Sequence, residues 1–132
     1  MIVRNLTDTR KTPRRIVTKN WESTRLLLSS DNMGFSFHIT TIYAGTTNEM
    51  CYKNHLEAVF CLTGTGKLRN LETEHEYQIK PGVLYALDKN DKHILVALEN
   101  LTLACVFNPP LNGKEVHDED GAYQLNEEPI GD

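Results

Sequence analysis

Side chains that can bind a divalent metal ion adjoin apolar stretches of the sequence at three places. Glu57 precedes the run AVFCL, Tyr85 lies within VLYAL, and His93 precedes ILVA. A metal ion bound through nitrogen and oxygen usually takes three protein ligands, which leaves positions open for water or a substrate. A carboxylate, a phenol and an imidazole that a fold brings together would suit metal-assisted chemistry on a small polar metabolite.

Glu57 lies in a segment with the spacing of a known motif. The sequence from Gly45 to Gly64 resembles the first cupin motif, G-x5-H-x-H-x3-E-x6-G, without a gap. Cys51 and Lys53 occupy the two histidine positions, and Glu57 occupies the glutamate position. Two of the motif's metal ligands are therefore replaced and one is retained.

His93 lies in a second, independent segment of this kind. The sequence from Gly82 resembles the second cupin motif, G-x5-P-x-G-x2-H-x3-N, with Asp88 and Asn90 in place of proline and glycine. His93 falls on the histidine position. Two independent motifs predict a small β-barrel, whose inward-facing side chains converge on one interior point.

The third ligand has two candidates, Tyr85 and His55. Alternation along residues 83–87 places Tyr85 on one face with two aliphatic neighbours, and a divalent cation could lower its pKa from about 10. On a regular strand His55 shares a face with Glu57 and could bind the metal or orient that carboxylate. We choose Tyr85. Without a metal, Tyr85 would be a core tyrosine, Glu57 a rim carboxylate and His93 a surface residue.

The rest of the pattern indicates an all-β chain. Short runs rich in Val, Ile, Phe, Tyr and Thr recur between Gly, Asn and Pro, and helical periodicity is weak. Turn-forming sequences at 63–66, 80–82 and 88–91 predict hairpin connections and antiparallel pairing, closed into a jelly-roll barrel. The predicted strands are 2–6, 14–18, 24–28, 34–43, 50–62, 66–71, 75–80, 83–87, 93–98 and 101–107.

Composition excludes several classes of protein. The 132 residues carry a formal net charge of -4 and form one domain, 1–132. The basic cluster at 10–19 lacks interleaved aromatic residues, so no nucleic-acid partner is expected. No segment is long and apolar enough for a membrane span or a signal peptide, and the three scattered cysteines predict free thiols. We therefore expect a cytoplasmic protein without a membrane partner.

The C-terminal part changes composition after Phe107. It begins NPPLNG, becomes acidic and ends in polar residues. Residues 108–132 are predicted to form an irregular lid and tail, in which 108–123 cover the cavity and 126–132 are a disordered terminus.

Long shared strings point to one branch of the cupins, the ectoine synthases. The resemblance covers nearly the whole chain, through MIVRNL, WESTR, GFSFHITTIYAG, NHLEA, LYALD and ACVFNPPLNGKEVHDEDGAY. Such strings are specific because barrel packing does not dictate the sequence of a loop. The resemblance implies a dimeric, cytoplasmic, iron-dependent hydro-lyase. Such an enzyme cyclises N-γ-acetyl-L-2,4-diaminobutyrate to L-ectoine with loss of water.

The same resemblance implies roles for particular residues. The metal ligands of that family match Glu57, Tyr85 and His93, with Fe(II) as the expected ion. Zinc and manganese remain alternatives, because a set of oxygen and nitrogen donors admits all three ions. The implied substrate contacts are Trp21, Arg25, Thr40, Tyr52, Cys105, Phe107, Glu115 and His117. The candidate acid–base groups are Tyr52, Glu115 and His117.

Two features depart from simple expectation. Cys51 stands where relatives often carry histidine, and it could alter hydrogen bonding or act as a soft extra ligand. Strict alternation places Tyr52 opposite Glu57, so that Tyr52 would reach the cavity only across a β-bulge. The rival functions are a metal-free cupin that binds a small ligand, and a metal-dependent cupin isomerase or dioxygenase.

Overall fold

The computed structural model describes residues 1–113. Its helical elements are α1 (Leu6–Thr9) and a 3-10 helix (Ser29–Asp31). Its strands are β1 (Arg15–Val17), β2 (Trp21–Leu27), β3 (Ser36–Ile42), β4 (Thr47–Met50), β5 (Leu56–Thr63), β6 (Gly66–Asn70), β7 (Glu76–Ile79), β8 (Leu84–Leu87), β9 (His93–Ala97) and β10 (Leu101–Asn108).

These strands form two antiparallel sheets that face each other. The larger sheet has the order β1-β2-β3-β10-β5-β8, and the smaller has the order β4-β9-β6-β7. Successive strands such as β3 and β4, or β7 and β8, lie in different sheets, so the chain crosses between the sheets repeatedly. The predicted all-β architecture with antiparallel pairing is confirmed. The predicted hairpins at 63–66, 80–82 and 88–91 are wrong, because each of these turns connects a strand of one sheet to a strand of the other.

Strict alternation along β10 shows how the sequence builds the core. Leu101, Leu103, Cys105 and Phe107 are all buried, whereas the residues between them are partly exposed. Such period-two burial is what a half-buried strand requires. Each fully buried aliphatic side chain contributes on the order of 2 kcal/mol. Because β10 pairs with both β3 and β5, it fixes the positions of its neighbours in the larger sheet.

The predicted strand at 2–6 is wrong. Asn5 instead caps α1, and its side-chain oxygen accepts hydrogen bonds from the backbone N–H groups of Thr7 and Asp8. Arg4 donates to the Leu26 carbonyl oxygen and the Asp31 carboxylate. Side-chain hydrogen bonds thus hold this segment in place of a sheet ladder.

The predicted strand at 50–62 is also wrong as one element. β4 ends at Met50 and β5 begins at Leu56, so residues 51–55 form an irregular connection. Tyr52 therefore enters the interior from this connection and not across a β-bulge. The other predicted strands agree with the structure apart from small differences at their ends.

The chain remains packed beyond β10. Leu111 is fully buried; its carbonyl oxygen accepts from the Ser29 N–H at 2.8 Å, and its N–H donates to Ser36 Oγ at 3.0 Å. The rest of the predicted lid, together with Glu115 and His117, lies outside the described residues. Within residues 1–113, no helix has the length and apolar character to span a membrane.

Candidate functional site

The two sheets line a small cavity of about 30 Å³. Apolar side chains form most of its wall, with a few polar groups among them, as is usual for a small-molecule site. The lining residues are Trp21, His38, Thr40, Ile42, Met50, Tyr52, Glu57, Val59, Tyr85, Leu95, Leu103, Cys105 and Phe107.

Most of the predicted site residues share this wall. Those that line the cavity are Trp21, Thr40, Tyr52, Glu57, Tyr85, Cys105 and Phe107. Arg25 and His93 do not line it, although both are buried next to residues that do. The structure thus brings together side chains that lie far apart in the sequence.

Glu57 is a buried carboxyl group in the larger sheet. On β5 it lies between Phe107 of β10 and Leu87 of β8, and only 8% of its surface is exposed. Burial raises the pKa of Glu57 to about 8, although a hydrogen bond from the Cys105 thiol partly opposes the shift. In the absence of a cation, this carboxyl group therefore favours its protonated form near neutral pH.

A line of polar side chains crosses the sheet to Glu57. The hydroxyl oxygens of Ser23 and Thr40 lie 3.0 Å apart on β2 and β3. Thr40 hydrogen-bonds to Cys105 on β10, and the Cys105 thiol donates to the Glu57 carboxylate. Burial raises the pKa of Cys105 well above its usual value, and the charge on Glu57 raises it further. The thiol therefore keeps its proton and can orient the carboxylate.

Tyr85 approaches Glu57 from the neighbouring strand β8, where it is paired with Val59. Burial raises its pKa well above 10, and the charges of Glu57 and Cys105 raise it further. The Glu57 carboxylate therefore disfavours ionisation of the Tyr85 phenol on the adjacent strand. A divalent cation between them would favour the ionised form of both.

His93 begins β9 and is 2% exposed. Its Nδ1 lies 2.9 Å from the carbonyl oxygen of Asp91. A carbonyl oxygen can only accept, so Nδ1 carries the proton and the lone pair lies on Nε2. Burial lowers the pKa of His93, which favours the neutral form that binds metals. His93 shares the wall of an adjacent groove with Tyr85, and its ring centre lies 6.0 Å from that of Tyr52.

The donor chemistry of Glu57, Tyr85 and His93 fits a divalent metal ion. The set offers a carboxylate, a phenol oxygen and a neutral imidazole nitrogen, which suit iron, zinc or manganese. Among residues 1–113, no three His, Cys, Asp or Glu side chains form a metal-binding group. A metal site here would therefore need the phenol oxygen of Tyr85.

His55, the alternative third ligand, has a different position from the one predicted. It lies in the 51–55 connection and not on a strand with Glu57. It is buried, and its ring packs edge-on against Phe107 at 5.9 Å between centres. His55 thus supports the aromatic wall and is absent from the cavity lining.

Arg25 and His38 form a paired polar layer beside the cavity. They are register partners on β2 and β3, and both are almost completely buried. Nη1 of Arg25 donates to the Gly113 carbonyl oxygen at 3.2 Å, while its Nε and Nη2 have no hydrogen-bond partner among residues 1–113. Burial, the charge of Arg25 and the charge of His55 lower the pKa of His38 well below 6.5.

His38 is a cavity residue that the sequence reasoning missed. Its Nε2 lies 2.9 Å from Ser36 Oγ, the same oxygen that accepts from the Leu111 N–H. The signal was available, because His38 stands two residues before Thr40 in a predicted strand and so shares its face. His38 thus connects the cavity wall to the packed end of the described chain.

Comparisons with known proteins match nearly the whole chain. A family model described as ectoine synthase matches residues 1–127. The L-ectoine synthase of Saccharophagus degradans is 58% identical over 132 residues, covering 100% of both chains. That of Marinomonas sp. is 57% identical over 129 residues, covering 96% of this chain and 100% of the relative.

Solved structures show the same likeness. The crystal structure of ectoine synthase from P. lautus is 49% identical, with a TM-score of 0.87, and the match covers 100% of this chain and 94% of that chain. A predicted oxalate decarboxylase from Thermotoga maritima is 19% identical with a TM-score of 0.66, covering 83% and 99%. The second match shows a shared fold alone. Together they confirm the predicted cupin-type barrel.

Proposed function

Because the chain belongs to the ectoine synthase family and is a hydro-lyase, we propose that it cyclises N-γ-acetyl-L-2,4-diaminobutyrate to L-ectoine. The substrate's α-amine attacks its own acetamide carbonyl carbon and forms the new C–N bond. The carbonyl oxygen then leaves as water after two proton transfers. The observation that carries this proposal is the full-length match to L-ectoine synthases, combined with a mostly apolar cavity that contains a buried carboxyl group.

The cavity wall supports substrate folding and the exclusion of water. Trp21 and Phe107 provide aromatic surface for the acetyl methyl group, and Thr40 offers a hydroxyl group. Holding the amine close to the carbonyl carbon supplies the proximity that an unreactive amide needs. A mostly apolar wall also limits reversal by water during dehydration.

Arg25 is the proposed partner of the substrate carboxylate. A buried guanidinium with two nitrogens unpaired among residues 1–113 is costly unless an anion approaches it. A carboxylate can accept two parallel hydrogen bonds from such a group. His38 lines the cavity and Arg25 lies beside it, outside the lining. The substrate carboxylate must therefore reach past His38 to contact Arg25.

Tyr52, Glu115 and His117 are the proposed acid–base groups. Tyr52 is buried in the cavity wall, and its hydroxyl lies 3.2 Å from the sulfur of Met50. A thioether is a weak acceptor, so the hydroxyl can exchange this contact for one with the substrate. Glu115 and His117 enter the proposal through the family resemblance.

Glu57, Tyr85 and His93 are the proposed ligands of a single metal ion, with Fe(II) as the favoured ion. Such an ion, when bound, supplies Lewis-acid polarisation of the acetamide carbonyl. The protein's own contribution is to hold the three donors. The Cys105 thiol orients Glu57, and the Asp91 carbonyl fixes the tautomer of His93.

A mass-spectrometric assay with N-γ-acetyl-L-2,4-diaminobutyrate tests the reaction directly. We expect a product lighter by one water and identical to L-ectoine. Unchanged substrate in the presence of Fe(II) would refute the cyclisation. It would favour either the metal-free binding cupin or, if another cupin substrate turned over, the isomerase or dioxygenase.

The Tyr85→Phe substitution tests the third ligand. The variant removes only the phenol oxygen, so we expect bound iron, measured by elemental analysis, to fall at least tenfold, as when a ligand or its support is removed. Tyr77→Phe is the matched control, because Tyr77 is 51% exposed on β7. Equal iron content in both variants would exclude Tyr85 as a ligand.

We also propose a homodimer that works in the cytoplasm. The outer face of the larger sheet exposes apolar side chains, with Phe60 at 40% and its cross-strand partner Leu84 at 61%. Exposed apolar surface of this kind commonly marks a protein interface. Sedimentation analysis of wild type and Leu84→Asp tests the dimer, and a wild-type monomer would refute it.

A further inference from the structure

We propose that Asn90 is a positioning residue that holds both sides of the candidate site by fastening the 51–55 connection to the 88–91 turn. The connection carries Tyr52 into the cavity, and the turn leads into His93. The inference deepens the proposed function, because it rests on the roles proposed for those two residues.

The contacts of Asn90 reach the connection from two sides. Its Nδ2 donates to the Tyr52 carbonyl oxygen at 2.7 Å and to the His55 carbonyl oxygen at 3.2 Å. Its own carbonyl oxygen lies 3.5 Å from the Cys51 sulfur, a weak thiol contact. Both amide hydrogens of one side chain are therefore used to bracket residues 52–55.

The connection needs such support because it lies between two different sheets. β4 belongs to the smaller sheet and β5 to the larger, and residues 51–55 belong to neither. No sheet ladder therefore fixes the backbone of Tyr52. One residue beyond Asn90, the Asp91 carbonyl oxygen accepts from His93 Nδ1 at 2.9 Å. The same short turn thus positions Tyr52 and orients His93.

The backbone of Asn90 explains why asparagine is suited to this position. Its φ is +54°, in the left-handed region that glycine and asparagine tolerate best. The second cupin motif has glycine at this position. Asparagine keeps the backbone conformation and adds an amide that glycine lacks. The conformational and hydrogen-bonding roles of this residue can therefore be separated by substitution.

Two variants separate these roles. Asn90→Gly keeps the left-handed backbone and removes the amide. Asn90→Asp keeps the size of the side chain but turns carboxylate oxygens toward the carbonyl oxygens of Tyr52 and His55. Asn32→Gly is the matched control, because Asn32 has φ +58°, is exposed, and its Nδ2 bonds to the Ser30 carbonyl oxygen at 3.3 Å.

The experiment measures kcat, KM, thermal unfolding and acrylamide quenching of the single tryptophan, Trp21, which shares the cavity wall with Tyr52. For both Asn90 variants we expect kcat to fall roughly tenfold to a hundredfold, as displaced catalytic groups produce. KM should change less than kcat, and quenching should exceed that of wild type. Asn32→Gly should match wild type in kcat and quenching, and Asn90→Gly should have the lower Tm because it loses two hydrogen bonds between distant segments.

Several results would overturn the proposal. Wild-type kcat and quenching in Asn90→Gly would show that only the backbone conformation matters. A larger loss of Tm in Asn90→Gly than in Asn32→Gly, with kcat unchanged in the folded fraction, would reduce Asn90 to a structural role. Wild-type kcat and quenching in Asn90→Asp would also show that the amide hydrogens of Asn90 do not hold the 51–55 connection. If the wild-type protein formed no ectoine, the proposed function would fail, whereas the quenching comparison would still test how Asn90 holds the connection.

Discussion

The Glu57→Gln substitution should change how the stability of the metal-free protein depends on pH. Glu57 is buried, and its pKa of about 8 in the folded chain exceeds the ordinary 4.5. The folded state therefore holds a proton that the unfolded chain releases. This contribution to stability is fully present below the ordinary pKa, and it is lost as pH rises through the folded value. Glutamine cannot ionise, so the variant lacks this pH dependence.

The size of the effect follows from the two pKa values. Ionisation of the unfolded chain lowers the stability of the wild-type protein by about 1 kcal/mol near pH 5.5 and by about 4 kcal/mol near pH 8. Between those conditions, the wild-type protein should lose about 3 kcal/mol more than Glu57→Gln. His38 and His93 also have shifted pKa values, but they are present in both proteins and largely cancel in the comparison.

Urea unfolding in the presence of a chelator measures this difference at the two pH values. Glu49→Gln is the control, because Glu49 is an exposed carboxyl residue on β4, and it should keep the wild-type dependence. Added Fe(II) at a hundredfold excess over its Kd should stabilise the wild-type protein by about 2.7 kcal/mol, and Glu57→Gln by much less. Equal pH dependence in wild type and Glu57→Gln would refute a buried, proton-bearing Glu57.

Two further substitutions test the scaffold. Asp31→Asn breaks the ion pairs of a largely buried carboxylate with Arg4 at 2.8 Å and Arg14 at 3.1 Å, so urea unfolding should show a loss of about 3 kcal/mol. A change below about 0.5 kcal/mol, typical of an uninvolved surface site, would contradict this role. Gly64→Ala should lower Tm more than Gly34→Ala, because a Cβ at Gly64 would collide with the neighbouring backbone, whereas a Cβ at Gly34 meets nothing within 4 Å. Both glycines have positive φ, so equal Tm values would contradict the collision.

Local patterning predicted much of the barrel because the sheets obey simple alternation. β10 alternates buried and partly exposed residues along its whole length, and β8 directs Tyr85 inward as predicted. The predictions failed where side chains replace ladder hydrogen bonds. Residues 2–6 have strand-like composition, but Asn5 caps α1 and Arg4 binds Asp31 instead. Propensity cannot reveal a partner that lies far away in the sequence.

The candidate site likewise has features that the sequence predicted and features that it could not predict. Glu57 and His93 could be chosen because their spacing matches two motifs, but the break at 51–55 could not be read from that spacing. It depends on Asn90, which lies 35 residues beyond His55 and supplies the hydrogen bonds. His38 could have been predicted from its position on the face of Thr40. The neutral state of its imidazole could not be predicted, because the lowered pKa of His38 depends on burial and on the charge of Arg25 across the sheet.

The arrangement of Glu57 explains why replacing two histidines of the cupin motif need not abolish metal chemistry. A second, half-buried acid, Tyr85, stands on the paired strand β8, and the charge of Glu57 disfavours its ionisation. A divalent cation held between them would favour the ionised form of both groups, and each could then serve as a ligand. The Cys105 thiol, which hydrogen-bonds to Thr40, already orients the Glu57 carboxylate. If Glu57, Tyr85 and His93 hold the proposed metal ion, the Tyr85 phenol would compensate for the lost imidazoles, with Asn90 and the Asp91 carbonyl keeping the opposite wall in place.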